Sequence, residues 1–397
     1  MSTHNSVIPI TNKIKVEPKN RIDKDIQKFV YPFNAVLTIV FCSKYTIRND
    51  NIAPRVGKYC IIRLIGIIIA LGLTGFRMYK ILDSFNVKNS NDRIILFLSI
   101  CLLALNVASF ITTSIVNFMH GQDNALLIKI IQSIHKDVTF RSFNSSIIWN
   151  WITLTTIVFV DIFLYILKGT TISNLDTINS LSEIFFCIID IDFVYTVRLQ
   201  LLLVKYLKEW IDKVRSVDVV VDEDSYYTKM YETYKNILKA YGVFKKVSEC
   251  LVLFRISTAF FRNLCRLQLL LCVLEKWKHL YSNSVEIPYL DLLTLLVAAS
   301  AMVKVVLIVM IHCGYSEKFS IVLEDANVTC ILRMKNVNCS KVEKQFCKNI
   351  LRENETFSKM TACGLFYIDG RLPLSLLGLL TQYFVAELQF AFLRENT

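Results

Sequence analysis

The stretch IILFLSICLLALNVASFITTSIVNFM, residues 94–119, contains no charged side chain. An α-helix rises about 1.5 Å per residue, so about 20 apolar residues are enough to cross the roughly 30 Å hydrocarbon layer of a bilayer. The stretch is long enough to do so, and it therefore predicts a membrane-spanning helix.

Six further stretches have comparable length and hydropathy, giving seven predicted spans in all. They lie near 61–81, 147–167, 181–204, 251–275, 289–312 and 363–392. Hydrophobic residues make up 54% of the 397 residues, charged residues only 20%, and the mean hydropathy is +0.45. A soluble core of this size cannot hide so many apolar side chains. The sequence therefore predicts an all-α polytopic membrane protein, with residues 29–42 forming a shorter packed or interfacial helix.

The orientation follows from the basic residues in the loops. Segments on the amino-terminal side of the membrane carry thirty Lys and Arg, against six on the other side. Cytoplasmic loops carry such an excess, so the amino terminus is expected inside the cell. After seven crossings the carboxyl terminus is expected outside. The net charge of +12 forms no basic stripe with interleaved aromatics, which argues against a nucleic-acid partner.

The expected organisation divides the chain by these spans. Its segments are 1–59, a cytoplasmic amino-terminal segment; 60–312, six helices forming a ligand-binding bundle, of which 205–249 is a cytoplasmic helical extension; 313–362, cytoplasmic anchor helices; 363–392, the seventh helix; and 393–397, an extracellular tail. Residues 231, 234, 237, 238 and 241 repeat apolar side chains at helical spacing. Such a face needs a covering surface from neighbouring helices or another subunit.

The sequence shows no pattern typical of an enzyme or of a metal or cofactor site. It contains no GxGxxG, GxxxxGK[ST], HExxH or GxSxG motif, and its five histidines are scattered. The twelve cysteines include no CxxC pair, and the spacing of Cys330, Cys339 and Cys347 does not fit a zinc finger or ribbon. We therefore expect neither catalysis nor a cofactor.

Ionisable residues inside the predicted spans are the candidate functional groups, because charge is costly there. Counted from the predicted outer ends of the spans, one set lies roughly 9–20 Å deep, and Asn106 falls at a comparable level. The set comprises Asp161, Asp190, Asp192, Arg262 and Arg266. Two interpretations stay open: buried ion pairs that fix helix register, or an outward-facing ligand pocket. Lys304 lies deeper, and its side chain is expected to extend toward the cytoplasmic surface.

The most specific motif lies at residues 382–390. Tyr383 is followed by the five residues FVAEL and then by Gln389 and Phe390. This resembles the TYhhhhhQF signature in the last helix of insect gustatory receptors, and the preceding GLFYID is similar to the family's approach to that helix. Gln382 stands in the Thr position, and Glu387 stands among the five hydrophobic positions.

The resemblance implies a ligand-gated cation channel in the plasma membrane of sensory neurons. The channel would be a homotetramer or a heterotetramer with other gustatory receptor subunits, opened by a small tastant. Its last helices would line one central pore, with Glu387, Gln389 and Phe390 at the pore and gate and Tyr383 packing against the anchor helices. Glu387 could instead pair with a neighbouring subunit, and Phe390 could simply pack. Phe384 stands where sugar-sensing members carry Glu, which favours a bitter or unassigned tastant.

Three other classes of membrane protein are alternatives. An odorant-receptor-like channel subunit shares the expected fold. A G-protein-coupled receptor would have the opposite orientation, and neither an Asp-Arg-Tyr end on span three nor an Asn-Pro-x-x-Tyr on span seven is present. An ion-coupled transporter also uses intramembrane Asp and Arg.

Overall fold

The chain forms a helical bundle, which confirms the predicted all-α fold class. The computed structural model describes residues 21–48, 50–54, 58–84, 90–138, 140, 142–171, 177–216, 222–282, 289–337 and 339–395. Its helices are α1 Lys24–Ile39, α2 Lys58–Ser84, α3 Ser90–Met119, α4 Gly121–Asp137, α5 Phe143–Thr171, α6 Thr177–Ser216, α7 Glu223–Ser282, α8 Tyr289–Lys335, α9 Lys341–Glu355 and α10 Leu372–Glu395.

Several helices are apolar enough to cross a membrane. Within the described residues, four meet the length and composition of a span, in α2, α3, α5 and α8. In each of these helices, at most 28% of the most apolar segment is buried against the rest of the chain. The exposed apolar side chains therefore need a lipid environment. The other three predicted spans lie in α6, α7 and the region of α10, where charged or polar side chains interrupt the apolar run.

Three helices are much longer than a bilayer is thick. The helices α6, α7 and α8 contain 40, 60 and 47 residues. At about 1.5 Å per residue, α7 extends roughly 90 Å, three times the hydrocarbon thickness. These helices therefore continue beyond the membrane as a bundle, which α4 and α9 complete.

Aromatic side chains join this extended bundle, which we call the anchor bundle. Trp210 on α6 packs against Tyr234 of α7 with ring centroids 4.5 Å apart and the ring planes tilted by 40°, and its indole N–H donates to the carbonyl of Met230 at 2.9 Å. Two turns further along α7, Tyr241 stacks on Phe319 of α8 with ring centroids 4.0 Å apart. The predicted amphipathic face of α7 is thus covered by its own neighbours.

The segment before α2 forms a second small unit against the bundle. Asp23 caps α1 by accepting from the backbone N–H of Asp25, and Phe29, Phe33 and Leu37 are buried against neighbouring helices. This confirms the packed helix expected near 29–42. An antiparallel hairpin follows, with strands β1 Tyr45–Arg48 and β2 Asn51–Pro54, which the hydropathy pattern does not predict.

The last helix begins later than the predicted span 363–392. Residues 360–371 form turns, with Cys363 and Gly364 both in the left-handed region at φ 51° and 77°. The helix α10 starts at Leu372, and Pro373 lies in its first turn, where a missing N–H costs nothing. The turn residues, not hydropathy, set this boundary.

Candidate functional site

Lys304 on α8 binds two carboxylates from neighbouring helices. Its Nζ lies 2.7 Å from Asp190 Oδ2 on α6 and also donates to Asp161 Oδ1 on α5. The three side chains are only 18–19% exposed. The structure therefore corrects one expectation: Lys304 does not extend toward the membrane surface but binds Asp161 and Asp190.

The start of α6 explains why the sequence did not place Lys304 at the depth of Asp190. The helix starts at Thr177, before the predicted span at 181, so Asp190 lies 13 residues from its start, while Lys304 lies 15 residues from Tyr289 at the start of α8. Further along, Arg215 of α6 binds Asp325 of α8 at 2.6 Å. The two helices thus run side by side in the same direction, which brings Asp190 level with Lys304.

Asp192 lies on a different face of α6 from Asp190, because two residues correspond to about 200° of helical turn. Its carboxylate pairs with Lys44, just before β1, at 3.0 Å, and both side chains are 2% exposed. Asp192 was expected beside Asp190 in the pocket. It instead joins α6 to the segment before the hairpin.

Three arginines on α7 bind polar groups of the neighbouring helices. Arg255 donates to Thr113 Oγ1 at 2.8 Å and Arg262 to Ser109 Oγ at 3.3 Å, both on α3. Arg266 donates to the carbonyl of Ala301 on α8 at 3.1 Å.

A cleft of about 370 Å³ lies between α6, α7 and α8. Its charged lining is Asp190, Arg255 and Arg262, beside Thr258 and apolar side chains that include Phe193. Asp190 and Asp161 share Lys304, so these three groups together with Arg255 and Arg262 carry one net positive charge. The polar part of this lining, two guanidinium groups and the Thr258 hydroxyl, favours hydrogen-bond acceptors or a negative group.

The cleft brings together only part of the predicted set. Asp190 and Arg262 line it; Asp161 is not among the lining residues and is linked to Asp190 through Lys304. Arg266 and Asp192 are not among its lining residues, and Asn106 is half-buried on α3, also outside the lining.

A second pocket, of about 320 Å³, adjoins the cleft and reaches α10. Ala259, Val305 and Val309 line both cavities. On the far side, Pro373, Leu376, Leu377 and Leu380 of α10 close the second pocket. Side chains that border the cleft therefore also form the surface on which α10 packs.

The predicted pore residues lie on the second half of α10. The hydroxyl of Tyr383 hydrogen-bonds the carboxylate of Glu387 one turn along, and both are half-buried. Gln389 is exposed in the single chain, and the side chain of Phe390 lies outside the described part of the structure. Leu374 and Leu379 of α10 are 67% and 52% exposed, so one chain leaves this helix largely uncovered.

Sequence reasoning did not assign several residues of this region. Arg255 lies two helical turns before Arg262, a spacing that puts both on one face and could have assigned it to the cleft. Lys44 gave no such signal, because it lies outside every predicted span and nothing local links it to Asp192.

The chain has the fold of an insect olfactory receptor. The structure of the insect olfactory receptor OR5 from Machilis hrabei matches with a TM-score of 0.59, over 93% of this chain and 100% of that chain, at 10% sequence identity. At that identity the likeness shows the shared fold. No protein-family model and no curated protein matches the sequence.

Proposed function

We propose that the chain is a subunit of an insect-type chemoreceptor, a tetrameric cation channel opened by a small organic tastant. It lies in the plasma membrane of sensory neurons with its amino terminus in the cytoplasm. The observation that carries the proposal is the contact between the charged cleft and α10 through Ala259, Val305 and Val309. The fold shared with an insect olfactory receptor and the motif at 382–390 support the same function.

Ala259, Val305 and Val309, which line both cavities, connect ligand binding to gating. A ligand in the cleft contacts Arg255 and Arg262 on α7 and displaces apolar side chains of α8. Those helices form the surface against which α10 packs, so a ligand that binds one arrangement more tightly shifts α10 toward it. Ligand binding is coupled to the position of α10 if the ligand has different affinities for two packing arrangements of α7 and α8.

The charge of the cleft narrows the ligand class. Two guanidinium groups repel the ammonium group of an alkaloid and bind acceptor oxygens or a carboxylate. The preferred tastant is therefore a small, partly apolar compound with a carboxylate or several acceptor groups. This is a narrower class than the bitter or unassigned tastant expected from the sequence.

The pore is assigned to α10. In a tetramer, four copies of Glu387 form a ring of carboxylates that attracts cations. Gln389 lies about 200° around the helix from Glu387, so it lies at the contact with a neighbouring helix and not in this ring. Phe390 supplies an apolar constriction that dewets when closed. The exposed apolar face of α10 is covered by the other subunits.

An odorant-receptor-like subunit that requires a partner is the second candidate. The olfactory-receptor fold favours it directly. Expression alone in a cell without other chemoreceptors separates the two. A ligand-dependent current from this chain alone supports a self-sufficient receptor, whereas current only with a co-expressed chemoreceptor subunit supports the odorant-receptor-like alternative.

The first experiment tests the orientation. Antibody labelling of intact cells should reach an epitope added after Thr397 and should miss an amino-terminal tag. The reverse pattern is that of a G-protein-coupled receptor and would overturn the channel proposal.

The second experiment tests the cleft. Currents are recorded for benzoate and benzylamine, which differ in the sign of their charge, and for neutral compounds with several acceptor groups. For an acceptor-bearing agonist, Arg262→Gln should raise the half-activating concentration about tenfold, as expected for a lost charged hydrogen bond. Arg266→Gln, one turn away and outside the cleft lining, is the matched control. Equal increases in the half-activating concentration for Arg262→Gln and Arg266→Gln would contradict the proposal that the agonist binds in the cleft.

The third experiment tests the pore. Glu387→Gln should lower unitary conductance or divalent permeability, because a ring of four carboxylates loses its charge. Glu355→Gln, an exposed change on α9, should leave permeation unchanged. Unaltered permeation in Glu387→Gln removes this residue from the pore. Steady substrate uptake without resolvable channel openings would favour a transporter.

A further inference from the structure

Arg198 and Lys205 on α6 converge on one residue at the start of α5. Arg198 Nη2 donates to the carbonyl oxygen of Ser146 at 3.2 Å, and Lys205 Nζ donates to Ser146 Oγ at 2.7 Å. Arg198 Nε also donates to Asn150 Oδ1 at 2.6 Å. Both cations are half-buried, and two turns of α6 separate them, so they share one face. We call them the Ser146 cation pair.

No carboxylate neutralises this pair within the described residues. The remaining contact of Lys205 is with the ring of Phe140, at 5.9 Å from the centroid, and Arg198 acts on it as a like charge. Burying two like charges without a counterion is costly. Their hydrogen bonds to neutral oxygens leave several N–H donors of the two side chains accessible to a further acceptor.

Other basic residues on α6 are satisfied differently. Arg215 forms an ion pair with Asp325. Lys208 is exposed and therefore hydrated. The Ser146 cation pair is half-buried and has no such compensation.

Exposed aromatic side chains mark the membrane surface beside the pair. Trp149 and Trp151 on α5 are 55% and 45% exposed, and Tyr31 of α1 packs against Trp151 with centroids 6.4 Å apart. Trp and Tyr concentrate at the headgroup level of a bilayer. Ser146 lies one turn before Trp149 and Asn150, so the cation pair lies at that level.

We propose that the Ser146 cation pair binds the phosphate of an anionic phospholipid. The planar guanidinium of Arg198 is suited to bidentate contact with two phosphate oxygens, and Lys205 adds a point charge beside it. In the orientation proposed above, the lipid belongs to the cytoplasmic leaflet, which is rich in anionic lipids. The binding does not depend on the nature of the tastant.

The test uses the full chain reconstituted in vesicles with brominated lipids, which quench nearby tryptophan fluorescence. Trp149 and Trp151 act as reporters of the neighbouring lipid. Brominated phosphatidylserine should quench the wild-type chain more than brominated phosphatidylcholine at equal mole fraction, reflecting an about tenfold preference at the site. Raising the salt from about 0.05 M to about 0.5 M should reduce the difference.

Variants distinguish this site from general attraction to a basic protein. Arg198→Gln with Lys205→Gln should abolish the excess quenching, and Lys205→Gln alone should reduce it. Lys205→Arg, which keeps the charge, and Lys208→Gln, on the exposed face of the same helix, should both retain it. Equal quenching by the two lipids in the wild type overturns the proposal, as does an excess that survives Lys205→Gln undiminished.

A further arm separates the lipid from a soluble source of phosphate. Inorganic phosphate added at matched ionic strength should leave the excess quenching unchanged. If inorganic phosphate removes the excess where an equal concentration of chloride does not, the site takes its anion from solution and the lipid assignment is wrong.

Discussion

Lys44 and Asp192 form an ion pair from which solvent is almost excluded, with Nζ and Oδ1 3.0 Å apart and each side chain 2% exposed. Lys44 also lies 5.2 Å from the ring centroid of Tyr195, whose hydroxyl is 2.6 Å from that of Tyr45. These contacts fix the segment before the hairpin to the centre of α6. The segment is therefore part of the membrane bundle's core.

Removing one partner of this pair should be strongly destabilising. Asp192→Asn leaves the Lys44 ammonium buried without a counterion, a loss of about 3–5 kcal/mol in the free energy of unfolding. The thermal midpoint of the detergent-solubilised chain should fall accordingly. Lys44→Met combined with Asp192→Leu should recover much of the loss. Lys28→Met, which removes an exposed ion pair with Asp25, is the control and should change the midpoint little.

Arg333 should stabilise the carboxyl end of α6. Its Nη2 donates to the carbonyl oxygens of Val214 and Arg215, both at 2.7 Å, in the last turn of that helix. Arg333→Met leaves these acceptors unpaired and should cost about 1–3 kcal/mol. Lys335→Met, an exposed change two residues away, should have no comparable effect on the thermal midpoint. Equal effects would mean that the loss of net charge, and not the cap, is responsible.

His135 should make stability fall at acidic pH. Its imidazole on α4 is buried, with Nδ1 3.0 Å from the hydroxyl of Tyr206, and burial lowers its pKa below the ordinary value of 6.5, despite the opposing charges of Asp23 and Asp25. The unfolded chain therefore binds the proton more readily than the folded chain. The stabilisation is fully present above about pH 6.5 and is lost as the pH falls below it.

The measurement is the thermal midpoint between about pH 7.5 and about pH 5.5, the range that brackets the ordinary histidine pKa. The fall in His135→Gln should be smaller than in the wild type, because glutamine does not titrate. If the thermal midpoint of His135→Gln falls with pH as steeply as that of the wild type, other groups cause the acid sensitivity.

Cys250 and Cys363 should form a disulfide under oxidation. Their Sγ atoms are 3.3 Å apart, and both residues are exposed, one on α7 and one in the turns before α10. A diazene oxidant such as diamide accepts the two electrons and two protons that the thiols release, and the chain becomes lighter by about 2 Da. Peptide mapping should find the cross-link in the wild type and not in Cys250→Ser.

The pKa of the Cys363 thiol determines how the rate of this oxidation depends on pH. Burial first, and then the hydrogen bond to Cys250, raise the pKa of Cys363 to about 11. The thiolate is the attacking species, so the cross-linking rate should rise steeply from about pH 7 to about pH 9. If the turns before α10 move during gating, the cross-linked chain should lose ligand-dependent current, which a reductant restores.

The apolar runs of the sequence predicted the helical membrane fold well. Uncharged stretches such as 94–119 specify a spanning helix from their own length and composition, since a bilayer requires every backbone hydrogen bond to be internal. The apolar face of Tyr234 and Tyr241 likewise indicated a covered helix below the membrane. The boundary of α10 was missed because the turn geometry at Cys363 and Gly364, not hydropathy, sets it.

The sequence by itself determined which side chains are charged within the bundle, but only the tertiary structure decided which of them meet. Asp190 and Asp192 are nearly identical in local sequence context, yet one binds Lys304 and borders a cleft while the other binds Lys44 in the core. The physical reason is that such pairing depends on the rotation and axial register of helices from distant parts of the chain. A shift of one residue turns a helix by about 100° and changes every partner, and only the packing of the whole bundle fixes that angle.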